Sequence, residues 1–297
     1  MKILIVGKNG QLGKALSSTL TARGIEFNAL GSKDLDITSL SKTFELVSAL
    51  RPELIINAAG WTNVNGAETS VNEAFAANSD GPRNLALAAK KTGAIFVHIS
   101  TDYVFSGQNL NPWNEQDATS PISEYGRSKA AGEKSVMLLY PEKSYIFRAA
   151  WLYSQWNKNF AKTMTRLALE TPQASPESNL INVVNDQIGQ PTYTSDLSDQ
   201  IINSVFAKIP FGIHHATNSG KASWFEFARE IFIHAGGDIS RLIPISTLEY
   251  AQPAKRPKYS VLGHNSWGKT DISPMRDWRI ALKDAMPAIV SAVKAGG

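Results

Sequence analysis

The amino-acid sequence predicts an α/β protein, a doubly wound parallel sheet followed by a smaller C-terminal lobe. Three observations carry that prediction. Strand and helix patterns alternate through the first 150 or so residues. The strand patterns are nearly continuous in apolar residues, as strands covered by helices on both faces are. A glycine-rich turn, GKNGQLG at 7–13, joins the first strand to the first helix.

The elements follow in order. KILIV (2–6) is a short apolar strand. GQLGKALSSTLTARG (10–24) places Leu12, Ala15, Leu16, Leu20 and Ala22 at helical spacing and closes at Gly24. IEFNAL (25–30) is a second strand, and SLSKTFELVSALRP (39–52) a serine-capped helix stopped by Pro52. ELIINAA (53–59) is a third strand, 71–93 a helix closing at Gly93, AIFVHIS (94–100) a fourth strand, 123–140 a helix and SYIFRAAW (144–151) a fifth strand. After Trp151 the pattern loosens. Helices are expected over 159–170, 191–208, 224–237 and 281–296. Short strands near 179–184 and 212–218 are expected to return to the sheet. The division is a dinucleotide-binding Rossmann-type domain over 1–150 and a mainly substrate-binding lobe over 151–297.

Composition narrows the function. Hydrophobic residues make 43% and charged residues 19% of the 297, which fits a folded globular chain, and the absence of cysteine excludes disulfides and thiolate chemistry. The first strand is interrupted too early for a secretory signal, and no apolar run is long enough to span a membrane, so a cytoplasmic location is expected. The net charge of +4 is scattered. That suits an anionic small ligand better than nucleic acid, which would call for a basic face with interleaved aromatics.

Gly7, Gly10 and Gly13 let the backbone approach a pyrophosphate drawn to a helix N-terminus, although the same turn also serves tight helix–sheet packing. The second strand ends without a carboxylate at its tip. Ser32 and Lys33 there could accept a 2′-phosphate, which favours NADPH and leaves NADH open; Lys33 as an ordinary loop lysine is the alternative. Asp36 and Ile37 could flank an adenine. NAAGWTNV (57–64) leaves room for a dinucleotide across the strand tips. Ser100, Thr101 and Asp102 end the fourth strand, where hydroxyls face the ligand crevice of such sheets. Of the eight tyrosines only Tyr125 has a lysine, Lys129, four places on. Alone that pair is weak. Its chemistry is specific: ketone reduction needs a proton on oxygen, and a cation one helical turn away brings a tyrosine towards use at neutral pH. Trp151 is divided between ligand stacking and core packing. Arg256, in a short basic loop, could meet a pyrophosphate. His214 and His215 alternate faces in a strand, and no spacing suggests zinc or magnesium.

Taken together, GxxGQLG, NAAxxT, STDYVF, YGRSKAAGE, NFAKTM, NDQxGxPT and a late RPxxS resemble the dTDP-4-dehydrorhamnose reductase family of extended short-chain dehydrogenases, in order from residue 1 to about 285. The resemblance implies reduction of the 4-keto group of dTDP-4-dehydro-β-L-rhamnose to dTDP-L-rhamnose, in nucleotide-sugar biosynthesis. It places Thr101, Tyr125 and Lys129 on catalytic positions. Gly10, Gln11, Leu12, Asp36, Ile37, Gly60, Trp61 and Thr62 fall on cofactor positions, with Tyr125 and Lys129 shared. Thr101, Asp102 and Trp151 fall on sugar-nucleotide positions. Some members bridge a dimer through magnesium and a first-helix glutamate; Gly13-Lys14-Ala15-Leu16 carries no carboxylate, so no metal is expected, and the chain is expected to be a monomer or homodimer. Near Asn65 the family more often has aspartate. Two alternatives remain: a reductase of another nucleotide-linked 4-keto sugar, or a non-catalytic dinucleotide-binding regulatory subunit of methionine adenosyltransferase type.

Overall fold

The computed structural model describes residues 1–170 and 179–296. Its first half runs β1 (Ile3–Val6), α1 (Gln11–Ala22), β2 (Phe27–Leu30), α2 (Leu40–Leu50), β3 (Leu54–Asn57), α3 (Val64–Ala67), α4 (Val71–Phe75), a π-helical turn (Ala76–Asp80), α5 (Gly81–Thr92), β4 (Ile95–Thr101), α6 (Glu124–Leu139) and β5 (Ser144–Ala149). The second half adds β6 (Leu152–Tyr153), α7 (Phe160–Leu169), β7 (Ile181–Val184), β8 (Ile188–Gly189), β9 (Thr192–Tyr193), α8 (Thr194–Phe206), β10 (Gly212–His215), β11 (Ala222–Ser223), α9 (Trp224–Ala235), β12 (Leu242–Ile245) and α10 (Trp278–Lys294).

Six strands form one parallel sheet in the order β10-β5-β4-β3-β1-β2. The chain leaves β1 for β2 on one side and returns to β3 on the other. The strand C-termini on either side of that reversal open a crevice, where ligands of such sheets bind.

The strand period of two sorts the core. Ile3 and Ile5 face one layer, with Leu12, Leu16 and Leu20 of α1 and Leu197 and Ile201 of α8. Leu4 and Val6 face the other, with Val47, Leu85, Ala89 and Val136 of α2, α5 and α6. A third core joins α7, α9 and α10 through Met164, Phe227, Ile231, Trp278 and Leu282. Burying a side chain of this size contributes about 1.5–3 kcal/mol each before chain entropy is counted, so each layer is held by many such residues.

Two expectations need correction. Gly212–His215 does join the main sheet, beside β5. Ile181–Val184 does not: it pairs with Leu242–Ile245 in a separate two-stranded sheet. Apolar patterning specifies a strand but not its partner, and β12 supplies the neighbour. The helix expected over 71–93 is interrupted by the π-helical turn, whose insertion turns Asn78 inward, fully buried.

Candidate active site

The glycine loop forms the floor of the crevice. Gly7 sits at φ +96°, and a Cβ there would lie 2.6 Å from the Ala59 nitrogen. Any side chain at that position would run into the Ala58–Ala59 backbone that follows β3. Gly7 and Lys8 both donate their N–H groups to the Leu30 carbonyl (2.8 and 3.0 Å), sewing the loop to the end of β2. Gly10 precedes α1 with no side-chain cap, so the first N–H groups of that helix are left for an anion. A cradle of this shape fits a dinucleotide pyrophosphate.

The expected cofactor residues divide. Leu12 is buried in the α1 core, so only its backbone can face a ligand. Gln11 is a strut: its Oε1 accepts from Ser154 Oγ (2.7 Å) and Asn159 Nδ2 (3.0 Å), tying the glycine loop to the second half of the chain. Ile37 packs against Gly81 and is nearly buried, while Asp36 is exposed and folded back on Thr38. Ser32, Lys33 and Thr62 are exposed. Gly60 and Trp61 line the loop after β3. Asn78 holds that loop, accepting from the Trp61 N–H at 2.8 Å and donating to the Trp61 carbonyl at 3.1 Å and to Ser128 Oγ at 3.0 Å. No local pattern marks Asn78, which lies in the π-helical turn.

Helix α6 carries the central pair. Ser123 caps it, accepting from the Gly126 N–H at 3.2 Å. Two glycines let it approach its neighbours: a Cβ on Gly126 would lie 2.3 Å from the Tyr103 carbonyl oxygen, and one on Gly132 2.1 Å from that of Asn78. Lys129 is buried, and its Nζ donates to the Ile99 carbonyl at 2.5 Å. The same Nζ lies 3.9 Å from where a Gly60 Cβ would stand, so α6 and the loop after β3 converge on the ammonium. Burial brings Lys129 down to about 8, opposed by the charge of Glu133. Tyr125 is half-buried, and burial raises its phenol above the usual 10, with the Thr101 hydroxyl beside it acting in the opposite direction. At neutral pH it is therefore a proton carrier in its neutral form.

Thr101 Oγ1 donates to Asp102 Oδ1 at 3.0 Å and accepts from the Tyr103 N–H at 3.2 Å. Burial outweighs the Ser260 and Thr101 hydroxyls and pushes the Asp102 carboxyl up to about 6. The Tyr103 ring meets Tyr125 edge-on, with centroids 5.6 Å apart. Arg256 reaches the same corner: it donates to Tyr103 Oη at 3.3 Å and to Asn65 Oδ1 at 3.5 Å. The structure thus brings together Thr101, Asp102, Tyr125, Lys129 and Arg256, which are scattered in sequence. Trp151 stands at φ +45° with its indole stacked on Trp224, centroids 3.6 Å apart. That partner was invisible to local patterning.

Behind α6 lies a buried ion pair. Arg148 Nε and Nη2 donate to Glu133 Oε1 and Oε2 at 2.9 and 2.7 Å, both side chains almost wholly enclosed. Among the described residues no group of three or more His, Asp or Glu side chains is placed to hold a metal ion, and no helix is long and apolar enough to cross a membrane.

A family model described as the RmlD substrate binding domain matches residues 1–290. A dTDP-4-dehydrorhamnose reductase of Streptomyces griseus is 40% identical over 290 residues, covering 96% of this chain and 93% of its own. A crystal structure of a dTDP-4-dehydrorhamnose reductase from Clostridium acetobutylicum superposes with a TM-score of 0.90 at 40% identity, over 97% of this chain and 99% of that one. Another, from Bacillus anthracis in complex with NADP, gives a TM-score of 0.90 at 39% identity, over 96% and 98%.

Proposed function

The chain belongs to the family of the RmlD substrate binding domain, that of dTDP-4-dehydrorhamnose reductase, and from that membership we propose how its residues share the reaction. The enzyme reduces the 4-keto group of dTDP-4-dehydro-β-L-rhamnose to dTDP-L-rhamnose with NAD(P)H, in dTDP-rhamnose biosynthesis. Bound NAD(P)H supplies the hydride that adds to the carbonyl carbon. Tyr125 gives the proton to the carbonyl oxygen, its neutral phenol favoured by burial. Lys129 stabilises the tyrosinate left behind and reaches towards the ribose beside Gly60. Thr101 turns its hydroxyl from Asp102 to the carbonyl oxygen and orients it. Gly7, Gly10 and the backbone of Gln11 and Leu12 would hold the pyrophosphate, with Gly60, Trp61 and Thr62 of the loop after β3 as further cofactor contacts. Asp102 and Trp151, the latter stiffened by Trp224, shape the sugar pocket, and Arg256 faces the nucleotide pyrophosphate. The protein works in the cytoplasm, as a monomer or homodimer.

The observation that carries this reading is the convergence of Lys129 Nζ on both β4 and the Gly60 loop, with Tyr125 one turn earlier beside Thr101. The test is consumption of reduced nicotinamide with the 4-keto sugar generated in situ. Tyr125→Phe is expected to keep cofactor binding and lose reduction by roughly 10²–10⁴-fold. A variant turning over near the wild-type rate would mean the acid is elsewhere. A wild-type protein that binds cofactor but reduces nothing would overturn the assignment altogether.

A further inference from the structure

At the tip of β2, Ser32, Lys33 and Asp34 are all exposed, and Asp34 is the one joined to the glycine loop. Lys8, the second residue of the glycine loop, reaches across: its Nζ lies 2.6 Å from Asp34 Oδ2. Asp34 is fixed in turn, accepting the Gly31 N–H at 2.8 Å, while its own N–H bonds the Gly31 carbonyl at 3.0 Å. The Asn9 amide is packed on the same Gly31, with Nδ2 2.7 Å from where a Cβ would stand. The pair therefore sits where the glycine loop meets the end of β2. In such sheets that junction receives the adenosine ribose, with a carboxylate selecting the 2′-hydroxyl and a cation the 2′-phosphate. Here both chemistries occupy one spot, joined to each other. Both side chains remain a little over a third exposed, so a ligand can reach them.

We propose that Lys8 and Asp34 form a split 2′-subsite that sets the balance between NADPH and NADH. Lys8 keeps one N–H on Asp34 and offers another to a 2′-phosphate. Asp34, when the phosphate is absent, accepts the ribose 2′-hydroxyl. The ion pair makes each tolerable to the other's ligand: Lys8 neutralises a carboxylate that would otherwise repel phosphate, and Asp34 anchors a lysine that would otherwise wander in solvent.

This proposal deepens the reductase reading and rests on its dinucleotide cradle. The experiment is equilibrium titration of the full chain with NADPH and with NADH, followed by protein fluorescence, for wild type, Lys8→Met and Asp34→Asn. Asparagine keeps an acceptor for the Gly31 N–H. In Lys8→Met the ratio of the NADPH to the NADH dissociation constant should rise at least tenfold, because the phosphate loses its cation and meets an unmasked carboxylate. In Asp34→Asn the ratio should move the opposite way by about threefold or more, and the NADPH affinity should weaken with added salt less in Lys8→Met than in wild type. Parallel loss of both cofactors in either variant would overturn the proposal and leave Lys8–Asp34 as a loop brace; no change in the ratio would do the same. Because binding is read directly, a wild type that binds both cofactors but fails to reduce the sugar would sink the reductase reading without touching this one.

Discussion

Lysine 129 offers the sharpest quantitative test of the catalytic assignment. Lys129→Met preserves the length and apolar stem of a buried side chain but removes its charge. Side chains four apart on a helix lie about 5–6 Å from each other. A unit charge roughly 6 Å from a tyrosinate, at an effective dielectric of about 20, is worth about 2.8 kcal/mol. Losing it should lower the rate of proton transfer by roughly 100-fold. The pH dependence gives a second, independent mark. With Lys129 brought to about 8 by burial, the ammonium is charged at neutral pH and discharged above it. Tyr125, raised by burial, stays protonated across that range. The sign follows: reduction is fast below about 8 and falls above it, as the cation that stabilises the tyrosinate disappears. In Lys129→Met this alkaline limb should vanish, leaving a low, flat profile. The assay is kcat at saturating cofactor, with the cofactor dissociation constant measured separately, since the same ammonium reaches the Gly60 loop. Thermal unfolding should accompany it, because the Ile99 carbonyl loses its donor, a cost of about 1–3 kcal/mol. Retention of more than a third of kcat, or of the same alkaline limb, would show that Lys129 does not tune the proton donor.

Two further outcomes follow from the interior. Glu133→Gln leaves the Arg148 guanidinium buried without its counter-charge, which should cost about 3–5 kcal/mol and lower Tm by roughly 6–20 °C in calorimetry; a change of a degree or two would mean that water or the neighbouring His215 compensates. His98 and His215 are held neutral well below their usual 6.5, chiefly by burial. In the unfolded chain both protonate below that value, so the unfolded state binds more protons and stability should drop as pH falls from about 6.5, each ring contributing up to about 1.4 kcal/mol per pH unit. Urea midpoints that coincide at about pH 7 and about pH 5.5 would contradict this sign.

Much of the frame is legible in the sequence because burial on both faces leaves a simple mark. Leu54–Asn57 and Ser144–Ala149 are buried at every position, and such runs stand out between turn residues. The glycine loop is equally legible, since Gly7 at φ +96° and packed against Ala58 and Ala59 has no substitute among ordinary residues. The pattern of Ile181–Val184 marks a strand but says nothing of β12, far along the chain, with which it pairs. The π-helical turn escaped for a related reason. Ala76–Asp80 reads as ordinary helix, and the close approach of Gly132 to the Asn78 carbonyl, which leaves no room for a Cβ, comes from a helix some fifty residues on.

The site itself separates into what local spacing determines and what tertiary contact determines. Tyr125 and Lys129 belong together by helical period alone, and Thr101 by its place at a strand end. Nothing local says that Lys129 should meet Gly60, that Arg256 should reach Tyr103, or that Trp151 should lie on Trp224. The first lies within the sheet domain, the second joins that domain to the second half of the chain, and the third lies within the second half. The same division explains the 2′-subsite. Strand-end position points to Ser32 and Lys33, but the turn at Gly31 holds Asp34 towards the glycine loop, where it meets Lys8. A charged residue's neighbours along the chain fix its exposure poorly, whereas the hydrogen bonds of its own turn fix its direction well. The Tyr125–Lys129 pair is thus readable from pattern, whereas the Lys8–Asp34 and Arg256–Tyr103 contacts are readable only from the folded loops that bring them together.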